Sequence, residues 1–122
     1  NESLAWGSLR TGKVGISGKE YMPEIPKEEE VKEELNKILT ISDTVEKALE
    51  SFCYIVYHQL FWDGNKRTAT IFASKILMEA GIGILSIGKS DGEKFNESLL
   101  LYYDSGDSKE LKECLKTCIL SM

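Results

Sequence analysis

The sequence predicts a mainly α-helical domain with one short β-hairpin near its beginning. From about residue 27 onward, apolar residues recur at the three- and four-residue spacing of amphipathic helices. Glycines and capping residues divide this pattern into separate helices. The earlier part of the chain lacks the helical spacing, and its many glycines and flanking apolar residues are typical of short strands around a turn.

The hairpin is predicted at about residues 14–21. Apolar residues stand on both sides of a serine-glycine turn signal, and the positions concerned are Val14, Gly15, Ile16, Ser17, Gly18 and Tyr21. Two prolines, Pro23 and Pro26, close this segment. The predicted hairpin is therefore short and lies on an otherwise irregular stretch.

Two helices are predicted next. Pro26 suits the first helical turn, and the acidic residues after it favour the positive end of the helix dipole. The apolar stripe of this first helix comprises Val31, Leu35, Ile38 and Leu39. The second helix begins near Asp43, with Glu46 as its cap partner. Because its second half is apolar on nearly every side, it is predicted to be central and buried.

Three further helices complete the prediction. Asn65 is a good N-cap for the third helix, which Gly81 ends. Residues 82–87 are predicted to be a short extended piece, and Ser90 opens a capping box for the fourth helix. The fifth helix starts at Asp107, and its apolar positions are Leu111, Leu115, Cys118 and Ile119.

The composition limits the classes of function. A chain of 122 residues with 42% hydrophobic and 29% charged residues suits one folded domain in the cytoplasm. The net charge of −5 argues against non-specific binding to nucleic acid. No apolar run approaches the roughly 18 residues of a membrane span, so no membrane association is expected. The cysteines, Cys53, Cys114 and Cys118, lack the spacing of a zinc site and are predicted to be buried thiols.

The stretch Asp-Gly-Asn-Lys-Arg, residues 63–67, has the chemistry of a magnesium-nucleotide site. It stands at the predicted start of a helix, where free backbone N–H groups favour an anion. Gly64 admits a ligand close to the backbone, Lys66 and Arg67 add positive charge, and Asp63 could hold a magnesium ion. The same five residues also make an ordinary turn with a helix cap, so the turn alone leaves both interpretations open.

Residues 61–69, FWDGNKRTA, resemble the signature of the Fic/Doc family, His-x-Phe-x-Asp/Glu-Gly/Ala-Asn-Gly/Lys-Arg. The segment LRTGKVGISGKEYMPEIP resembles the flap of Fic-domain proteins, a β-hairpin over the active site, and the later AGIGILSI also fits. The resemblance covers nearly the whole chain. It implies a single Fic-type helical bundle over residues 1–122, with the flap at about residues 14–21 and a motif loop at about residues 59–67.

The resemblance also implies an activity. Members of the family use ATP and Mg2+ to modify hydroxyl side chains of target proteins, by AMP transfer or, in the Doc toxins, by phosphate transfer. It assigns magnesium to Asp63 and the nucleotide to Gly64, Asn65, Lys66 and Arg67. It further implies that the target protein docks on the flap as an added strand.

Two positions depart from the family pattern. The catalytic histidine should stand two residues before Phe61, and Gln59 occupies that position with His58 beside it. Neighbouring helical residues point about 100° apart, so His58 is the less suitable base, and a neutral amide cannot accept a proton. Thr70 replaces an arginine of AMP-transferring members, and Lys66 is the Doc-like residue. We therefore expect weak transfer, or else an inactive Fic fold that binds a nucleotide or a protein.

Overall fold

The computed structural model describes residues 9–15 and 22–121. Its five α-helices in these ranges are α1 (Glu28–Leu39), α2 (Thr44–His58), α3 (Asn65–Glu79), α4 (Gly92–Ser105) and α5 (Lys109–Lys116). A 3-10 helix precedes α4, and the two short strands are β1 (Gly83–Leu85) and β2 (Ile119–Ser121). The mainly α-helical prediction is confirmed. Within the described ranges, no helix combines the length and the apolar character that a membrane crossing needs.

The helix α2 is buried in the centre of the protein, as predicted. Its residues Leu49 and Phe52 have no exposed surface, and it packs against α1, α3 and α5. The ring of Phe52 meets the ring of Phe95 from α4 edge-on, with ring centroids 5.9 Å apart. Because α2 and α3 are neighbours both in the chain and in the core, the loop between them lies at one end of the core.

The predicted hairpin falls largely outside the described residues. Ile16, Ser17, Gly18 and Tyr21 lie outside them, whereas Val14 and Gly15 are described and belong to no strand. The sheet that the structure shows lies elsewhere and pairs β1 with β2 in antiparallel register, with Ile84 opposite Leu120.

The prediction that the fifth helix continues through Ile119 is wrong. The helix α5 ends at Lys116, and Ile119 lies in β2 opposite Leu85 of β1. The carbonyl oxygen of Cys118 accepts a hydrogen bond of 2.9 Å from the N–H of Ser86. The extended piece after α3 therefore binds the last residues of the chain as a strand, a long-range pairing that overrides the local helical spacing.

The predicted starts of α2 and α5 are supported by side-chain hydrogen bonds. The Asp43 carboxylate accepts a hydrogen bond of 2.8 Å from the N–H of Glu46. The Asp107 carboxylate accepts one of 2.9 Å from the N–H of Lys109, the first residue of α5. Both carboxylates satisfy backbone N–H groups that have no acceptor inside their helix.

The predicted capping box at Ser90 is wrong. Ser90 lies inside the 3-10 helix Lys89–Asp91, and α4 begins after it, at Gly92, without a side-chain cap. The Asp91 carboxylate instead accepts a hydrogen bond of 3.0 Å from the N–H of Gly88. The acidic residue of this turn therefore caps the start of the 3-10 helix and does not cap the α-helix.

The three cysteines are buried free thiols, as predicted. Burial raises the pKa of Cys53 to about 12, and the nearby Glu46 carboxylate adds to this effect. The thiolate is the reactive form of cysteine, so Cys53 is chemically inert at neutral pH. Burial is also the main cause of the raised pKa of Cys118.

A buried arginine holds the first described residues against the end of α2. The Arg10 side chain is 1% exposed, and its N–H groups donate to carbonyl oxygens of Gly12, Pro23, Glu24, His58 and Gln59. The backbone N–H of Arg10 donates to the Leu60 carbonyl at 2.9 Å. A cation suits this place, because the C-terminal end of a helix carries partial negative charge. This role of Arg10 was not predicted from the sequence.

Candidate functional site

The motif loop, residues 59–67, comprises the connection that follows α2 and the first three residues of α3. A left-handed residue stands at each of these helix ends: Gln59 has φ 45° and Gly64 has φ 72°. Glycine adopts this conformation without strain, whereas for a residue with a side chain it costs of order 1–3 kcal/mol and needs support from its surroundings. The carbonyl of Gly64 accepts the first hydrogen bond of α3, from the N–H of Thr68 at 2.8 Å.

A cavity of about 610 Å³ lies on this loop and on the first turns of α3. Its lining residues are Gln59, Trp62, Asp63, Gly64, Asn65, Lys66, Arg67, Thr70 and Ile71. We call it the motif cavity. All the residues that the sequence assigned to magnesium or nucleotide line it, as does Gln59, and its volume is within the range of ligand sites.

The motif cavity favours an anion. Lys66 and Arg67 are exposed there, and no carboxylate in the described part of the chain forms an ion pair with either of them. The Lys66 ammonium lies 4.6 Å from the centroid of the Phe95 ring, a cation–π contact. The backbone N–H groups of residues 65–67 have no acceptor within α3 and carry the positive end of its dipole.

The prediction that Asn65 caps α3 is wrong. The N-cap is Gly64, and Asn65 is the first residue of the helix. Its side chain turns back to the loop, where Oδ1 accepts from the N–H of Phe61 and Nδ2 donates to the Phe61 carbonyl, both at 2.9 Å. Nδ2 also donates to Oε1 of Gln59 at 3.2 Å. Asn65 is 7% exposed, and its side chain is engaged in hydrogen bonds that stabilise the loop. It therefore offers an anion only its backbone N–H.

Gln59, which the family resemblance places at the position of the motif histidine, lines the motif cavity. Its Nε2 donates to the Val56 carbonyl at 2.7 Å and to the Tyr103 hydroxyl at 2.8 Å, and its Oε1 accepts from Asn65. Both N–H groups of the amide are therefore used, and the amide has no basic lone pair at neutral pH. The geometry makes Gln59 a structural link in the loop.

His58 lies outside the motif cavity. It lines a second cavity of about 280 Å³ together with Tyr54, Leu60 and three glutamates, Glu24, Glu30 and Glu34. We call this the glutamate cavity. The His58 ring packs against Tyr54, with ring centroids 4.6 Å apart, and against Tyr57, at 5.2 Å. The structure therefore separates this histidine from Asp63 and Arg67.

The environment of His58 keeps its ring neutral. Burial lowers the pKa of His58 from its ordinary value of 6.5, and the Arg10 charge adds to the lowering. The carboxylates of Glu34 and Glu24 oppose this effect without cancelling it. A neutral imidazole can accept a proton, but this one has no access to a ligand in the motif cavity.

The residues of the motif cavity fit a magnesium-bound nucleotide. Within residues 9–15 and 22–121, no three His, Cys, Asp or Glu side chains cluster as a metal site. Magnesium in nucleotide sites needs only one or two carboxylates, because phosphates and water supply its other ligands. The exposed Asp63 is the carboxylate of the cavity and would hold the ion there.

The segment before the predicted flap lies against the motif loop. A β-carbon on Gly12 would stand 2.6 Å from Cη2 of Trp62, so only glycine allows this close packing. Trp62 is 45% exposed and also lines the motif cavity. Trp62 and Tyr103 were not predicted as site residues, because neither residue type indicates a site by itself.

Comparison with known proteins supports the family resemblance and the fold. The model of the Fic/DOC family matches residues 1–77. Among solved structures, the chain is similar to BepC, a VirB-translocated effector protein from Bartonella tribocorum whose crystal structure contains AMPPNP. The TM-score is 0.68 at 18% identity, and the match covers 93% of this chain but 58% of the BepC chain. No curated protein matches the sequence.

Proposed function

Because the chain belongs to the Fic/DOC family, we propose that its motif cavity binds ATP with magnesium and supports slow modification of target-protein hydroxyl groups. The observation that carries this proposal is the convergence of Asp63, Lys66 and Arg67 on one cavity at the start of α3. BepC, which shares the fold, was solved with a bound ATP analogue. The modification is transfer of AMP or of phosphate.

Asp63, Lys66, Arg67 and the start of α3 have distinct roles in this proposal. Arg67 binds two phosphate oxygens through its planar guanidinium, and Lys66 adds a point charge beside it. The backbone N–H groups of residues 65–67 donate to a third oxygen. Asp63 would hold the magnesium ion, which would supply positive charge to neutralise the phosphates. The target is proposed to dock as a strand on the flap that the family resemblance assigns to residues 14–21.

Among the described residues that line the motif cavity, none carries an imidazole that could serve as the general base. The amide of Gln59 cannot take the proton of a target hydroxyl, and His58 opens into the glutamate cavity. General-base catalysis contributes about 10²–10⁴ to a rate, so transfer from this site is expected to be slower by about that factor.

Thr70 favours the Doc-like product, a phosphorylated hydroxyl. Its side chain lines the motif cavity and donates to the Lys66 carbonyl at 2.8 Å. Its hydroxyl proton is thus used within α3, and Thr70 brings no charge to a phosphate. Among the described residues that line the cavity, Lys66 and Arg67 are the cations. No residue of this lining therefore takes the place of the second arginine of AMP-transferring members.

Labelled ATP tests this function directly. The protein is incubated with a cell lysate and with ATP labelled at either the α or the γ phosphate. Label on a protein, lost in Asp63→Ala, supports transfer, and the labelled position identifies the transferred group. Lys75→Ala is the control, because Lys75 is an exposed cation on α3 that lies outside the cavity lining.

A second candidate function is a non-catalytic Fic fold that binds a nucleotide or a partner protein. The observation that favours it is the complete engagement of the Gln59 amide with Val56, Tyr103 and Asn65. Calorimetric binding of ATP without transfer of either label would support this alternative. Absence of both binding and transfer would contradict the nucleotide site itself.

A further inference from the structure

A tyrosine from α4 reaches the end of α2 beneath the motif loop. Tyr103 is 6% exposed, and its hydroxyl donates to the Val56 carbonyl at 3.0 Å. The same oxygen accepts a hydrogen bond of 2.8 Å from Nε2 of Gln59. Burial raises the pKa of Tyr103, and the hydrogen bond from Gln59 partly offsets this rise. The hydroxyl therefore keeps its proton at neutral pH and acts toward Gln59 as an acceptor.

The hydrogen bonds continue from Tyr103 to the start of α3. Gln59 accepts from Asn65 at 3.2 Å, and Asn65 binds both backbone groups of Phe61 at 2.9 Å. The direction of every bond is determined. If the Gln59 amide were reversed, its oxygen would face the Val56 carbonyl and its N–H groups would face those of Asn65.

We propose that Tyr103 is a positioning residue for the motif cavity, acting through Gln59 on Asn65. Gln59 has φ 45°, which a residue with a side chain adopts only when neighbouring groups hold it. The Tyr103 hydroxyl is one of these groups. Asn65 in turn supplies the first N–H of α3, so its position sets where the anion-binding groups of residues 65–67 stand.

A purely structural role for Tyr103 makes a different prediction. If its hydroxyl only capped the last carbonyls of α2, its loss would leave the loop in place, since Nε2 of Gln59 also donates to the Val56 carbonyl. A positioning role requires the effect to pass through the side chain of residue 59. The two roles are therefore separated by removing Gln59 and Tyr103 together.

The test compares Tyr103→Phe, Gln59→Leu and the double variant with the wild type. Phenylalanine keeps the ring and its stacking on Tyr57, where the centroids are 6.0 Å apart. The first readout needs no nucleotide: NMR hydrogen exchange of the Asn65 side-chain amide. We expect faster exchange in both single variants and no further increase in the double variant. Tyr54→Phe is the control, because it removes a half-buried hydroxyl that lines the glutamate cavity.

The second readout rests on the proposed function and is the Kd for ATP with magnesium. Tyr103→Phe should raise this Kd about three- to tenfold, the scale of one hydrogen bond, and should have no effect when residue 59 is leucine. If no variant binds ATP, the proposed function fails, and the exchange experiment still decides the positioning role.

Two results would overturn the proposal. The first is unchanged Asn65 exchange in Tyr103→Phe. The second is an effect of Tyr103→Phe that persists in the Gln59→Leu background. If Tyr103→Phe does not fold, Gln59→Leu carries the test, because it breaks the same link at its middle. Unchanged Asn65 exchange in that variant contradicts the proposal.

Discussion

Two adjacent residues, His58 and Gln59, face two different cavities. His58 ends α2 and opens into the glutamate cavity, where burial keeps it neutral. Gln59 follows it in a left-handed conformation and lines the motif cavity beside Lys66 and Arg67. The group that can take a proton is thus separated from the groups that can bind phosphate by a shift of one residue. The comparison shows that a base is useful only where the backbone directs it toward the substrate.

The largest expected effect comes from placing an imidazole in the motif cavity instead of the glutamate cavity. Gln59→His puts a base in the motif cavity, and the Tyr103 oxygen, which now accepts from Gln59, can accept one ring N–H. We expect the rate of transfer to rise about 10²–10⁴-fold, measured with both labels of ATP. Thr70→Arg added to this variant should shift the product toward AMP transfer.

His58→Ala is the matched control for that experiment. Because the His58 ring lies in the glutamate cavity, its loss should leave transfer unchanged in either background. Abolished transfer in His58→Ala alone would mean that this histidine is the base and that the comparison of the two cavities is wrong.

Arg10 donates to the carbonyl oxygens of both His58 and Gln59, the two residues that face different cavities. Arg10→Met keeps much of the volume but removes the donor from five carbonyl oxygens, which are buried or partly buried. We expect the free energy of unfolding to fall by about 3 kcal/mol, measured by urea denaturation. Lys13→Met, an exposed cation of the same segment, should have little effect.

The phosphate side is tested by Arg67→Ala. Loss of a charge-assisted contact should weaken ATP binding by about 1.5–3 kcal/mol in calorimetry, because the guanidinium has no ion pair within the described residues to compensate. Lys75→Ala removes a cation from the same helix outside the cavity and should bind ATP normally. Equal weakening in both variants would indicate a general charge effect rather than a site.

The smallest expected effect is the pH dependence of stability on the His58 side. The pKa of His58 is lowered from 6.5 in the folded protein, so the unfolded chain binds the proton more readily. Stability from this group is therefore full above the unfolded pKa and is lost as pH falls through 6.5 toward the lower folded value. Urea denaturation at about pH 7.5 and about pH 5.5 should show a smaller loss in His58→Gln than in the wild type. An equal loss in both proteins would assign the pH dependence to other groups.

The prediction of the core and of the cavity lining from sequence has a local physical reason. Helical spacing of apolar residues records which face of α2 and α3 is buried, and a loop between two helices must carry its polar residues together. Asp63, Lys66 and Arg67 lie within five consecutive positions, so the loop and the first turn of α3 bring them to one cavity. The turn alone left open whether these residues form a nucleotide site or an ordinary turn with a helix cap. The family signature at these positions favoured the nucleotide site.

Other predictions failed because hydrogen-bond partners outside the local pattern decide them, a distant strand in one case and the preceding loop in the other. The end of the predicted fifth helix became β2 because β1, more than thirty residues earlier, offered its backbone hydrogen bonds. Asn65 has the side chain of a good cap, but Phe61 and Gln59 supply it with partners on the other side. Local preference and long-range pairing compete for the same polar groups, and the sequence shows only the first of them.

The sequence by itself determined the helical class, the burial of α2, the composition of the motif loop and the absence of a histidine at position 59. Each of these follows from residue type and from short-range spacing. Only the tertiary structure decided that His58 and Gln59 face different cavities, that Arg10 joins the first described residues to both, and that Tyr103 supports the loop. The physical reason is that these contacts join residues more than forty positions apart, and hydrogen-bond geometry exists only once the helices have packed.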